Sequence, residues 1–248
     1  LDFYDHPELY DALLPATGHI PYYLDLARQA KGDILELACG TGQLTLPIAQ
    51  AGLPIAGLDL SEPMLKLARE RAAVANTSIE YAQGDMRDFD LGRKFALIFI
   101  ARNSLLHLHS TDDLLSAFAA IRRHLAPGGI FAFDIFNPNV RLLAKPAGER
   151  SPVFQKETEA FGLLTVEDSA DYDAATQVGH HRWYISAPGK PDAWVLPLDL
   201  RSIFPQELPL LLAAGGFHLT SRSSDFELTP FQSASRMQVC LCKSAGPE

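Results

Sequence analysis

The 248-residue chain has room for one large domain or two small ones, and 47% hydrophobic against 21% charged residues marks a packed globular chain rather than a disordered one. A formal charge of −9 argues against a nucleic-acid surface, and three cysteines cannot build a disulfide framework. No apolar run approaches the roughly 20 residues of a membrane span, and Leu1–Asp5 lacks a signal-peptide layout, so a cytoplasmic protein without nucleic-acid or membrane partners is expected.

Ile34–Ala38 is predicted to be a short strand ending at Cys39-Gly40-Thr41-Gly42, with a helix following to Gln50 and a stop at Gly52. Pro47 suits that helix only in its first turn. A second strand, Pro54–Leu60, runs into Ser61-Glu62-Pro63-Met64, where Ser61 is a helix cap, Glu62 suits the positive helix end and Pro63 fits the first turn. Ser78–Tyr81 gives a weaker third strand, and the continuous apolar run Phe95–Ile100 gives a central one covered on both faces. Ser110 or Thr111 caps the next helix, whose apolar face carries Leu114, Phe118, Ile121 and Leu125. Pro127-Gly128-Gly129 is expected to end it, and Ile130–Phe136 to return as a fifth strand. Alternation of this kind means stacked βαβ units and a mostly parallel sheet.

After Asn137-Pro138-Asn139 the pattern changes. Val153–Phe161, Leu163–Tyr172, Gln177–Ala187 and Trp194–Ile203 are rich in β-branched and aromatic residues, lack a helical period, and read as antiparallel strands of an inserted sheet. A helix over Pro205–Ala214 and strands over Phe217–Phe226 and Met237–Cys242 complete the chain. The expected organisation is one domain over 1–248, with a core of about 1–139 and 204–248 and an insert of about 140–203.

Glycines at a strand-to-helix turn allow a sharp bend and let a ligand approach the backbone. A dinucleotide site wants G-x-G-x-x-G, but the third position here is Thr45, which weakens a nicotinamide reading. Asp59 follows Gly42 by 17 residues at the end of the second strand, where a carboxylate can accept both hydroxyls of a ribose. Asp85, in Gly84-Asp85-Met86, follows the third strand and can reach the same crevice.

Glu36–Leu44, Gly57-Leu58-Asp59-Leu60-Ser61, Gly84-Asp85-Met86 and Leu125–Gly129 resemble the successive motifs of class I S-adenosylmethionine-dependent methyltransferases. The resemblance spans about residues 30–136 and, more loosely, the final hairpin. It implies an α/β, Rossmann-like, doubly wound seven-stranded sheet, mostly parallel with the last strand antiparallel, and an inserted antiparallel β-sheet lid. It implies S-adenosyl-L-methionine as cofactor, released as S-adenosyl-L-homocysteine. The glycine turn would hold its methionine part, Asp59 the ribose, and Asp85 with Met86 the adenine. Ala38, Cys39, Gly40, Gly42, Leu60, Met64 and Ala101 belong to the expected cofactor-binding set, and Glu36 either joins it or orients the backbone of the loop. Ala38 stands where many members carry a glycine, and a small residue should suffice.

Asn103-Ser104-Leu105-Leu106-His107-Leu108 and the four-strand insert resemble, more narrowly, the small-molecule N-methyltransferases of the glycine and nucleotide-amino-sugar types. Asn103 then becomes a substrate-binding candidate, and His107 either a general base or a histidine packed under the lid. Tyr4 or Tyr10 would close over the cofactor, unless the aromatic N-terminal stretch is merely a helix on the core. Arg201 would hold an anionic group of the substrate or pair with an acid. Adjacent His180 and His181 face opposite sides of a strand and the three thiols have no metal geometry, so no metal site is expected. The expected partner is a small-molecule acceptor, and the chain a monomer or homodimer. Transfer to nitrogen leads, with an O-methyltransferase using His107 as base and a non-catalytic cofactor binder as alternatives.

Overall fold

Two sheets, described here over residues 3–246 of a computed structural model, make up the strand framework of the chain. Residues 1–2 and 247–248, the ends of the expected single domain, lie outside the described residues. Chain order runs α1 (Pro7–Leu13), α2 (Ile20–Gln29), β1 (Ile34–Leu37), α3 (Thr45–Gln50), β2 (Ile55–Asp59), α4 (Glu62–Val74), β3 (Glu80–Gln83), β4 (Phe95–Ile100), α5 (Thr111–His124) and β5 (Leu125–Phe136). It continues with α6 (Val140–Leu143), β6 (Ser151–Thr158), β7 (Gly162–Asp173), β8 (Val178–Ala187), β9 (Lys190–Arg201), α7 (Leu208–Ala214), β10 (Phe217–Ser223) and β11 (Met237–Ser244). Short 3-10 turns cover Phe3–Asp5 and Ser104–His107.

The larger sheet has the order β10-β11-β5-β4-β1-β2-β3, parallel except that β11 runs antiparallel to both its neighbours. Strands β1 and β4 lie centrally, and Leu35, Leu37, Ile98 and Ile100 are at most 1% exposed because helices cover both faces. On one face Phe118 and Ile121 of α5 and Leu208 and Leu212 of α7 pack with Phe131 and Phe133. On the other, Tyr23 and Leu26 of α2 and Ile48 of α3 pack against Phe99 and Ala132. Cys39, Cys240 and Cys242 are free, buried thiols.

Local chemistry sets the helix starts. Ser61 Oγ accepts the Met64 N–H at 3.4 Å, and Pro47 and Pro63 both fall in first turns. Ser110 and Asp113 form a reciprocal capping box at the start of α5. Several boundaries differ from expectation by a few residues, such as β9, which starts at Lys190 rather than Trp194, and two of the differences bear on the core. The third strand is Glu80–Gln83, two residues later than the pattern suggests, because its register follows β2 rather than its own apolar content. Pro127-Gly128-Gly129 does not separate α5 from the fifth strand: α5 stops at His124 and β5 begins at Leu125. Phe95 pairs with Leu125 but Leu97 with Ile130, so residues 126–129 bulge out of the ladder, with Gly128 at φ 73°.

The smaller sheet, β6-β7-β8-β9, is wholly antiparallel. Its Leu164, Val166, Ile185 and Leu196 form a separate core with Phe3, Leu9 and Leu13, so the N-terminal segment is its packing partner. Strand β9 is also tied to the end of the Ser104–His107 turn region, where His109 Nε2 lies 3.0 Å from the Asp199 carbonyl oxygen. Among the described residues no helix is long and apolar enough to cross a membrane.

Candidate active site

The carboxyl ends of β1 to β4 converge on one crevice, where an open α/β sheet binds ligands. The turn after β1 is built on left-handed backbone: Ala38 has φ 55°, Gly40 54° and Gly42 74°. At Gly40 a Cβ would point into open space, whereas at Gly42 it would lie 2.5 Å from the Tyr81 hydroxyl. Gly40 therefore keeps a cradle open, and Gly42 serves the turn itself.

Asp59, the last residue of β2, locks this turn. Its Oδ2 accepts the Gly40 N–H at 2.7 Å and its Oδ1 the Ser61 N–H at 2.8 Å. Burial raises its pKa, opposed by these backbone donors. Thr45, where a dinucleotide fingerprint has glycine, donates its hydroxyl to the buried Glu36 carboxyl. From the other side Asp11 Oδ1 accepts from Thr41 Oγ1 at 2.6 Å and Gln43 Nε2 at 2.5 Å, and the carboxylate also pairs with Arg71. Helix α1 is thereby fastened to the glycine turn.

A cavity of about 570 Å³ opens along this crevice. Leu60, Met64, Asp85 and Met86 line one end, Gly40, Ala38 and Asp59 the middle, and Tyr4, Tyr10, Ser104 and His107 the other end. A small adjoining pocket shares Tyr10, Ala38, Gly40 and Ser104 and adds Glu36, Cys39, Ala101 and Arg102. At the far end the Tyr4 hydroxyl and His107 Nε2 are hydrogen-bonded at 2.7 Å, their rings edge to face. Tyr4 also lies 5.8 Å, ring to ring, from Tyr10.

Asp85 lines the cavity but is occupied. Arg87 grips it through its N–H at 2.8 Å and its guanidinium at 2.6 Å, and reaches Asp113 at 2.7 Å. The Arg87 side chain accordingly holds the Asp85 carboxyl below its ordinary range.

The structure does not bring Asn103 and Arg201 to either pocket lining. Asn103 Oδ1 accepts the Phe136 N–H at 2.6 Å, which pins the left-handed residues after β4 to the end of β5. Arg201 is 5% exposed and bonded to Glu207 Oε1 at 2.7 Å, at the junction of β9 with the segment leading into α7. Arg102 was not singled out by the sequence pattern. Its N–H donates to both Asp134 oxygens at 3.1 and 3.0 Å, and its guanidinium lies 5.0 Å from the Tyr10 ring centre. Asp134, also bonded by the Tyr23 hydroxyl at 2.6 Å, is pushed up to about 6 by burial. An arginine after an apolar strand reads as surface; here a buried aspartate 32 residues away holds its backbone, and the Leu14 carbonyl and the Tyr10 ring take its guanidinium.

Burial pushes the Glu36 carboxyl up to about 8, against the opposing bond from Thr45 and the charge of Arg102. Between about pH 6.5 and 8 the folded chain therefore holds a proton that the unfolded chain has lost, and stability falls as pH rises. His19, pushed down to about 4 by burial, acts in the opposite sense only below about 6.5. Over that window the loss should be about 2 kcal/mol, or roughly 4–8 °C in Tm. Glu36→Gln should flatten the slope in thermal melts, and an equal slope in the variant would assign it elsewhere.

These residues fit S-adenosylmethionine. The Asp59 carboxylate faces the cavity with acceptor capacity for a ribose diol, Gly40 leaves the room a Cβ would fill, and the apolar slot of Leu60, Met64 and Met86 suits a flat base. In the adjoining pocket Arg102 offers a positive charge to the carboxylate of an amino-acid end, and the Glu36 carboxyl an acceptor oxygen to its ammonium.

Comparison with known proteins agrees. Residues 34–129 match the family described as methyltransferase domain. An uncharacterized methyltransferase of Synechocystis is 34% identical over 61% of this chain and 69% of its own length. A dTDP-3-amino-3,4,6-trideoxy-alpha-D-glucopyranose N,N-dimethyltransferase of Streptomyces venezuelae is 37% identical over 52% of this chain and 56% of its own. The chain spans about half the length of the first curated relatives it matches, 52% and 56%. Among solved structures, the CcbJ methyltransferase of Streptomyces caelestis superposes with TM-score 0.84 at 26% identity, covering 99% of both chains. With the glycine turn, Asp59 and the sheet order in place, the chain belongs to the class I S-adenosylmethionine-dependent methyltransferases.

Proposed function

We propose that this protein transfers a methyl group from S-adenosylmethionine to a nitrogen atom of a small, polar acceptor of the amino-sugar kind. The observation that carries the reading is the Tyr4–His107 pair, bonded at 2.7 Å, at the end of the cavity away from the base slot. The cofactor, when bound, supplies a methyl group already activated on a sulfonium. Gly40, Asp59 and the slot residues hold it, and the N-terminal aromatic segment with the lid keeps water out. Most of the acceleration then comes from aligning the acceptor, and an amine needs only to be neutral.

The hydroxyl of Tyr4 is anchored by His107, so its oxygen is held in one place against the cavity. A fixed phenol oxygen can accept an N–H of the incoming amine and aim the nitrogen lone pair at the methyl carbon. The dTDP-amino-sugar N,N-dimethyltransferases among the relatives, from Streptomyces venezuelae, Saccharopolyspora spinosa and Streptomyces fradiae, support nitrogen as the acceptor atom.

Turnover of radiolabelled S-adenosylmethionine against matched amine, phenol and nucleotide-amino-sugar acceptors tests the reading. Label should pass to amines of the sugar type. Transfer to phenols alone would replace nitrogen by oxygen, and tight S-adenosylhomocysteine binding without transfer to any acceptor would leave only a binder.

A further inference from the structure

The inner face of the lid carries a histidine–carboxylate pair that the reaction site does not use. His181 Nδ1 lies 2.9 Å from Asp168 Oδ2. A carboxylate only accepts, so Nδ1 carries the proton and Nε2 of the neutral ring is left as an acceptor. Gly179, two residues earlier on the same face of β8, makes room for that ring: a Cβ there would lie 2.9 Å from His181 Nε2.

Strand parity fixes where the pair points. Asp168 shares a face with Val166, which is packed on the N-terminal segment, and His181 shares one with Ile185, packed on the same segment. Toward the other end of that face, Leu200, paired with Gly179, packs on the main core. Asp168 and His181 therefore lie between the lid's two anchor points, on the face that packs on the N-terminal segment. Their side chains are 22% and 27% exposed, open to space rather than sealed in a core. Trp183, directly across from Asp168, has its ring 5.4 Å from that of Phe3, the neighbour of Tyr4. On the other side β9 is tied by Asp199 to His109, two residues beyond His107. A strand staple alone would not need this chemistry, since Asp168 Oδ1 is buried with no partner among the described residues, a costly arrangement.

We propose that His181, oriented by Asp168, is the lid's acceptor-reading group: its Nε2 takes a hydrogen bond from a hydroxyl of the acceptor, away from the nitrogen that is methylated. This rests on the proposed function, since it assigns the hydroxyl-bearing class of acceptor to the same site. Loss of the hydroxyl would leave the pair without its partner, the kind of discrimination a polar site performs well.

The test is calorimetric binding of cyclohexylamine and of aminocyclohexanols with the hydroxyl at each ring position, with and without S-adenosylhomocysteine. At least one aminocyclohexanol should bind about tenfold or more tightly than cyclohexylamine, the scale of one hydrogen bond to a fixed acceptor. His181→Ala should bring the two affinities together, and Gly179→Ala, which displaces the ring, should cut the ratio several-fold. Equal affinities in the unmodified protein, or a preference that survives His181→Ala, would overturn the assignment. A purely structural pair would lower Tm in both variants and leave the ratio unchanged. Failure to bind S-adenosylhomocysteine would count against the proposed function, while the affinity ratio without it still decides the role of His181.

Discussion

Asp59→Ala should weaken S-adenosylhomocysteine binding roughly 10- to 150-fold, about 1.5–3 kcal/mol, with the fold intact. Two losses add in the same place. The carboxylate that can accept two ribose hydroxyls disappears, and so does the acceptor that holds the Gly40 N–H at 2.7 Å. The Gly40 turn then gains freedom that binding must remove again. Stability should change little by comparison, because burial already opposes the charge on Asp59 and its removal relieves that opposition. Asp59→Asn, which keeps one carbonyl acceptor, should fall between the two proteins. Calorimetric titration reads all three affinities; an unchanged constant in Asp59→Ala would take this residue out of the cofactor site.

Tyr4→Phe and His107→Ala should each lower kcat/KM for the acceptor by roughly 10- to 100-fold, with most of the effect in KM and kcat kept within about tenfold. The two side chains act as one device, since the 2.7 Å bond fixes the phenol oxygen that meets the acceptor. The double variant should therefore be little worse than either single one, a non-additivity that a double-mutant cycle reads directly. Cofactor affinity should stay the same in His107→Ala. General-base catalysis by His107 predicts something different: a loss of about 10²–10⁴-fold in kcat and a limb of activity rising with pH as the imidazole loses its proton. A steep limb that vanishes in His107→Ala would therefore refute the positioning role. The geometry favours positioning, because Nε2, the nitrogen that would take the proton, is engaged with Tyr4.

Local rules made much of the nucleotide half legible. Alternation of Ile34–Leu37, Ile55–Asp59 and Phe95–Ile100 with intervening helices dictates a parallel sheet, and Ser61 and Ser110 mark helix starts by hydrogen bonds made within three residues. The glycine turn is legible for the same reason, since positive φ is a property of single residues. What escaped depends on partners far along the chain. Asn103 reads as a substrate residue until Phe136 is seen to occupy its oxygen, 33 positions away. Arg201 reads either as a holder of an anionic substrate group or as the partner of an acid, and only Glu207 and Thr111 closing around it decide for the second. Arg102 is held through its backbone by Asp134 and through its guanidinium by Leu14 and Tyr10, and His181 reads as one of two adjacent histidines until Asp168 on the next strand orients it. The bulge at 126–129 is hidden because proline and glycines end helices and kink strands alike.

The segment from Phe3 to Leu13 has two loyalties: Phe3, Leu9 and Leu13 are the inner lining of the lid, while Tyr4 and Tyr10 are walls of the cavity. Lid and cavity therefore share one latch. Any release route that lifts that segment would also strip the β6–β9 sheet of its apolar support. By that route, exchange of spent for fresh cofactor and loosening of the roof would be a single event with a single barrier. The roof's amide protons then report on the tenancy of a site they never touch.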